Sequence, residues 1–218
     1  MLISTRQLVS GLAAVLLFTT ATLSTAEASH QCRNGLNIPG NWSFGSYSGR
    51  IIRDRATPLL VETDQRLHTA VAKMISVDRG QQLRTALTAL HRAAVTMAEV
   101  ELCYGKNVPM RRLAAQSSDW QWRSLKFWER NPQPAVAMDP ANVAVLGAIL
   151  ARLSAPNNPT PHDESIDRKF ALYMIPHMQE TIALTRIAQQ WFAAEELHRS
   201  VDLGSAELVI MQAYAVQQ

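Results

Sequence analysis

The sequence predicts an all-α protein, and three observations carry that expectation. Apolar residues recur at intervals of three and four from Pro58 almost to the C-terminus, the spacing that builds one apolar face on a helix. The breaks between these runs hold Pro, Gly, Asn or Asp, which end helices or open the next one. No run of alternating β-branched residues reads as a strand.

Taken in order, Leu59, Leu60, Leu67, Val71, Met74 and Ile75 mark the first amphipathic helix, and Asp78-Arg79-Gly80 interrupts it. Leu83, Leu87, Leu90, Ala94, Met97 and Val100 mark a second, with Gly105 where a C-cap glycine is expected. Asn107-Val108-Pro109 restarts the chain into a third helix over 110–128, stopped by Asn131-Pro132-Gln133-Pro134. Asp139-Pro140 supplies an N-cap followed by proline at the first helical position and opens a short helix ending near Leu153. The proline-rich loop 155–161 cannot be helical. A long helix follows over 163–190, with Asp163 as its cap and Glu164 favouring its positive end, and a last helix spans 193–216. Pro176 falls inside the long helix, where it removes a backbone donor and should kink it; His177 beside it is expected to bond a carbonyl so freed.

Residues 1–28 read as a secretory leader. Arg6 supplies the basic start, residues 8–23 an uncharged apolar stretch, and Ala26-Glu27-Ala28 a small-x-small cleavage pattern. About 16 apolar residues are short for a membrane span, which takes roughly 20. The only later candidate, residues 141–153, is shorter still and carries Asn142 and Arg152. The expected product is periplasmic or secreted, with no stable membrane insertion. Residues 29–57 form an irregular arm rich in Gly, Asn and Ser, with Trp42, Phe44 and Tyr47. The formal charge of +3 survives processing, because Arg6 and Glu27 leave together. Arg111-Arg112 and Arg168-Lys169 are isolated adjacent basic pairs in an otherwise dispersed distribution, so the clustered footprint that a phosphate backbone demands is absent and nucleic acid is not an expected partner. Cys32 and Cys103, an even pair in an exported chain, are expected to join in a disulfide.

Met174-Ile175-Pro176-His177-Met178-Gln179, with Phe170 before it and Ile182 after it, resembles the F-x-x-x-M-I-P-H-H-Q signature of the DUF305 family. Glu207 and Met211 are similar to the E and M of that family's following stretch, where Gly204 replaces a glutamine. An earlier copy runs from His91 through Met97 to Glu101-Leu102-Cys103-Tyr104-Gly105-Lys106, with Leu113-Ala114 and Gln121 beyond it. In that copy Leu90 stands for the second histidine, Ser124 for a glutamate and Trp128 for a methionine. The resemblance implies a ferritin-like helix bundle built from two DUF305-like halves, residues 58–130 and 163–218, joined by a linker over 131–162 that carries the short helix. It also implies an exported protein that binds copper through Met and His.

The residues themselves allow that chemistry. Positions three or four apart share a helix face, which groups Met174, His177 and Met178. Thioether and imidazole donors suit Cu(I), and Met211, Met97 or His91 could complete a site across the bundle. The same methionines at helical spacing also suit the filling of a core. His68 and Met74 do not share a face and read as surface and core respectively. Glu195 and His198 form one E-x-x-H, whereas a di-iron centre needs two such motifs and two further glutamates. No G-x-S-x-G, phosphate loop or H-E-x-x-H is present, so the chain is not expected to be an enzyme. The function classes that follow are a copper-binding protein, with His177, Met178, Met174, Met211, His91 and Met97 as ligand candidates, and a non-catalytic envelope scaffold that has lost its metal. A di-iron enzyme stands third. The partners are a metal ion, and an envelope protein or a second copy of the chain. The leader and the cysteine pair give one expected outcome: intact-mass measurement of exported protein finds Ser29 as its first residue. Under denaturing, non-reducing conditions it finds no thiol open to alkylation, and two after reduction.

Overall fold

The computed structural model describes residues 56–74, 78–131, 138–155 and 164–217. The leader, the aromatic arm, Cys32 and the proline-rich loop with Asp163 lie outside the described residues. Six helices follow one another: α1 (Ala56–Ala72), α2 (Arg79–Tyr104), α3 (Val108–Arg130), α4 (Pro140–Ser154), α5 (Ile166–Ala188) and α6 (Glu195–Gln217). No strand occurs among the described residues, so the all-α expectation holds. None of these helices is long and apolar enough to cross a membrane.

Local chemistry sets where the helices begin. Asp78 caps α2 by accepting the backbone N–H groups of Gly80 and Gln81, Asn107 caps α3 through Met110 N, and Asp139 caps α4 through Asn142 N. The long helix starts later than the sequence pattern implies, because Ser165, accepting Arg168 N at 3.2 Å, is its N-cap. Gly105 closes α2 as expected, but with φ −64° and not in the left-handed region. Its reason for being glycine is space: a Cβ there would stand 2.1 Å from Oε1 of Glu101, whose carboxyl folds back against the turn.

Helices α2, α3, α6 and α5 pack in that cyclic order into a four-helix bundle, and α1 and α4 cover the edge between α2 and α5. The core divides into two storeys. One holds Leu67 and Val71 of α1, Leu83 and Leu87 of α2, Ile149 of α4, Leu184 of α5 and Leu197 of α6. The other holds Leu60 of α1, Met97 of α2, Met110 and Trp120 of α3, Phe170, Met174 and Met178 of α5, and Met211 of α6. Each fully buried side chain of this size stabilises the fold by roughly 2 kcal/mol. A belt of buried polar groups accompanies these clusters and includes Asp64, His91, Gln121, Ser124, His177, Thr181 and Ser200.

Asp64 ties α1 into this bundle. Its carboxylate takes Nε2 of His177 on α5 at 2.9 Å and Nε2 of His68 on its own helix at 3.1 Å, while Nδ1 of His68 meets the carbonyl of Leu153 at the end of α4. His68 is therefore not a surface group: its side chain is 11% exposed and it bridges two helices. His177 serves Asp64 with Nε2, and its Nδ1 is buried without a hydrogen-bond partner, so neither nitrogen answers the carbonyl released by Pro176. The helix α5 runs through Pro176 without a break. Arg152 of α4 adds a two-pronged bond to Glu180 of α5, at 2.7 and 3.0 Å, on the exposed side.

Asp64→Ala strips two imidazoles of their shared acceptor and is expected to lower unfolding free energy by about 3–5 kcal/mol, the usual cost of breaking one side of a buried pair. Glu195→Ala removes only an exposed pair with Arg199 and should leave the denaturation midpoint near wild type. Urea titrations followed by circular dichroism read both, and equal midpoints for the two variants would contradict the assignment.

Candidate functional site

The residues singled out by sequence separate into two groups in the structure. Met97, Met174, Met178 and Met211 come together in one buried apolar cluster, each no more than 1% exposed, and Met110 joins them. His91 reaches the same region through Gln121. Its Nδ1 donates to Gln121 Oε1, and Nε2 of that amide lies 4.0 Å from the Sδ of Met178. His177 turns the other way, toward Asp64 on α1. Residues 177 and 178 diverge by about 100° around α5, so the helix geometry that groups them loosely in sequence sends their side chains to different neighbours.

The bond to Gln121 fixes the protonation of His91. With the hydrogen on Nδ1 engaged, Nε2 carries the lone pair. Burial, only partly opposed by that bond, lowers the His91 pKa to about 4, so the ring is neutral at pH 7. Its ring also meets Trp120 edge to face, with centroids 6.1 Å apart. Gly204 of α6 allows the approach on the far side: a Cβ at that position would stand 3.3 Å from Met178 Sδ and 3.3 Å from Cγ1 of Ile182. Ser124 and Ser200 fill the neighbouring gap between α3 and α6 with a 2.8 Å hydroxyl bond.

The Asp64 site has the opposite electrostatics. Burial alone would raise the Asp64 pKa, but hydrogen bonds from His177 and His68 and their charges outweigh it and hold the carboxyl well below the usual carboxylate range. The bond to Asp64 raises the pKa of His68, against desolvation and with help from the Leu153 carbonyl. Both nitrogens of His68 face acceptors, as the imidazolium form requires.

Two glutamates are buried in the protonated direction. Burial, reinforced by the charge of Asp167, pushes Glu101 up to about 9. Both its oxygens are buried and accept no hydrogen bond, while Asp167 accepts the N–H groups of Lys106 and Asn107 at 2.8 and 2.6 Å. Burial likewise raises Glu207 to about 7, against the pull of Trp120 and Ser117 beside it. Glu195 and His198, the single E-x-x-H, are both exposed, and His198 meets Gln189. Among the described residues, no three His, Cys, Asp or Glu side chains gather as a metal site.

Asp64 and Glu101 are the groups that sequence patterning did not single out as functional. Asp64 could have been found from Asp64-x-x-x-His68, two polar residues one turn apart on an otherwise apolar stripe. Comparison of the chain with protein-family models, with curated proteins and with solved structures finds no match.

Glu101 gives a signed pH dependence. Below pH 4.5 the folded and unfolded chains both hold its proton; between 4.5 and about 9 the unfolded chain releases it while the folded chain retains it, so this group's contribution falls as pH rises through that window. Glu101→Gln, a neutral mimic of the protonated acid, should match wild type in mild acid and melt higher than wild type at pH 8. Parallel melting curves for the two proteins across that range would refute the assignment.

Proposed function

We propose that the protein is an exported binding protein for a soft metal ion, copper in its Cu(I) state, held in the methionine storey of the bundle. The observation that carries this reading is the strap His91–Gln121–Met178 set into a cluster of thioethers. Soft, uncharged donors suit Cu(I), whereas hard divalent ions call for carboxylates. The donors fit that requirement: Met97, Met174, Met178 and Met211 are the thioether ligands and His91 offers Nε2. Gln121 stands between His91 and Met178, accepting the Nδ1–H of His91 and so fixing the ring and its tautomer while its amide N–H reaches the Met178 thioether. The ion supplies no reaction here, only a soft Lewis acid to be carried or sequestered.

His177 has a different task in this reading. It orients α1 through Asp64 and leaves metal binding to the α2, α3, α5 and α6 face. The DUF305-like residues and the leader point the same way, since they put the methionines of an exported chain where extracytosolic copper is met. A disulfide between Cys32 and Cys103 belongs to the same proposal and anchors the arm near the end of α2.

A second reading, an envelope scaffold that has lost its metal, draws on Ser124 and Ser200, which bond each other where the related pattern has a glutamate. Copper recovered in stoichiometric amount with protein purified from its native envelope counts against it.

Cu(I) titration of mature protein against bicinchoninate decides the first reading. Met178→Leu combined with Met211→Leu keeps the core volume and should weaken binding roughly tenfold or more, because leucine offers no donor. His177→Gln should leave affinity within about threefold, the usual context-dependent scatter for a residue outside the ligand set. A wild-type chain that cannot compete with the chromophore, or a methionine pair variant that binds like wild type, would overturn it.

A further inference from the structure

Among the described residues, helix α6 packs chiefly on α5 and α3. Its outer face carries Leu203, Ala206, Val209, Ile210, Ala213 and Val216, all exposed. Val209 and Val216 are 65% and 86% open to solvent. From residue 203 to the C-terminus the only ionisable side chains are Glu207 and Tyr214, and Glu207 is turned into the bundle at 5% exposure. Three turns of helix thus face water without a charge, although an outer helix face normally carries its charged residues there. Contiguous apolar surface of this kind marks an interaction site.

The order of the residues says what covers it. From either end the stripe reads large, small, large, large, small, large, with spacings of three, three, one, three and three. A two-fold interface is isologous, so residue i must meet residue j while j meets i. An antiparallel pair of α6 helices centred between Val209 and Ile210 meets that condition: Leu203 faces Val216 of the other copy, Ala206 faces Ala213, and Val209 faces Ile210. Large groups meet large ones at the ends and centre, and alanines meet at the two positions between. That spacing lets the axes approach to the roughly 8–10 Å of packed helices. Asp202, the nearest exposed charge, then falls opposite Gln217, so no like charges meet. Antiparallel packing also sets the positive end of each helix beside the negative end of its partner. The stripe is about 20 Å long at ~1.5 Å per residue. Such a face offers on the order of 500 Å² per copy, which places the paired interface near the ~1,000 Å² that a specific contact needs.

We propose that the protein is a homodimer joined by α6 packed antiparallel on α6 of a second copy. The inference is independent of metal binding, since the stripe lies opposite the face that carries Met211.

Sedimentation velocity of the full mature chain over a concentration series tests it. Wild type should sediment as a dimer at micromolar concentration. Val209→Lys should weaken association roughly tenfold or more, because an unpaired ammonium would have to be desolvated at the seam. Ile210→Glu should do the same, and both variants should keep the wild-type helical content by circular dichroism, since both residues are exposed on the single chain. The double variant Val209→Lys with Ile210→Glu should recover association: antiparallel pairing sets each new lysine against a new glutamate, whereas parallel pairing sets like against like. A monomeric wild type, or a dimer indifferent to Val209→Lys, would overturn the proposal. Loss of association in the singles without recovery in the double would overturn the antiparallel register.

Discussion

A carboxylate cannot leave water alone, and Asp64 has left it. Its residue is 4% exposed, in the middle of a helix that otherwise buries Leu60, Leu67 and Val71. The cost of desolvating the charge is met only if donors reach both oxygens, and those donors are His68 on the same helix and His177 on α5. That requirement fixes the rotation and height of α1 on the bundle more sharply than apolar contact could, because leucines tolerate sliding and a two-sided hydrogen bond does not. It extends to α4 as well, since the second nitrogen of His68 must find an acceptor and finds the carbonyl of Leu153. One buried charge therefore sets the positions of three helices.

The same rule shapes the rest of the polar belt with the opposite sign of charge economy. His91 is as buried as Asp64 but has a neutral partner, Gln121, so it discards its proton instead of keeping it. Glu101 has no cation bonded to it and retains at neutral pH a proton that an exposed glutamate would lose, and burial shifts Glu207 in the same direction, to about 7. Nearby imidazoles and carboxyls thus differ in protonation because of what faces them, and each choice leaves the interior with fewer uncompensated charges. A core so arranged gathers thioethers and a neutral imidazole in one region and holds the Asp64 ion cluster in another.

Much of the fold was legible in the sequence because helix ends are local. Asp139 before Pro140, Asn107 before Val108-Pro109 and Gly105 after Tyr104 could be read as boundaries without knowing what packs on them. The start of α5 was harder, because Asp163 and Ser165 are both competent caps and geometry chose the serine. Long-range partners were not legible. His68 reads as a surface residue until α4 brings its last carbonyl over it, 85 residues away in the chain. His177 and Met178 read as neighbours until helices on either side of α5 claim one each. The methionines were easier: Met97, Met174, Met178 and Met211 lie on the apolar stripes of three amphipathic helices, and stripes facing one bundle axis have to meet.

Glycine shows how far local reasoning reaches and where packing takes over. Gly105 ends its helix, which sequence alone could say, yet its backbone is ordinary and any residue could adopt it. What excludes a side chain is Glu101 one turn back: a Cβ would stand 2.1 Å from its Oε1 and 2.6 Å from its backbone carbonyl oxygen, beside the turn that Asp167 holds through Lys106 and Asn107. Gly204 is a milder case on α6, where a Cβ would stand 3.3 Å from both Met178 Sδ and Ile182 Cγ1 and the neighbours would have to shift by a few tenths of an ångström. Both glycines sit where a group from the core presses against the backbone, a carboxyl in one case and a thioether in the other. The bundle thus carries glycine where a buried carboxyl, and on another helix a buried thioether, comes up against a main chain.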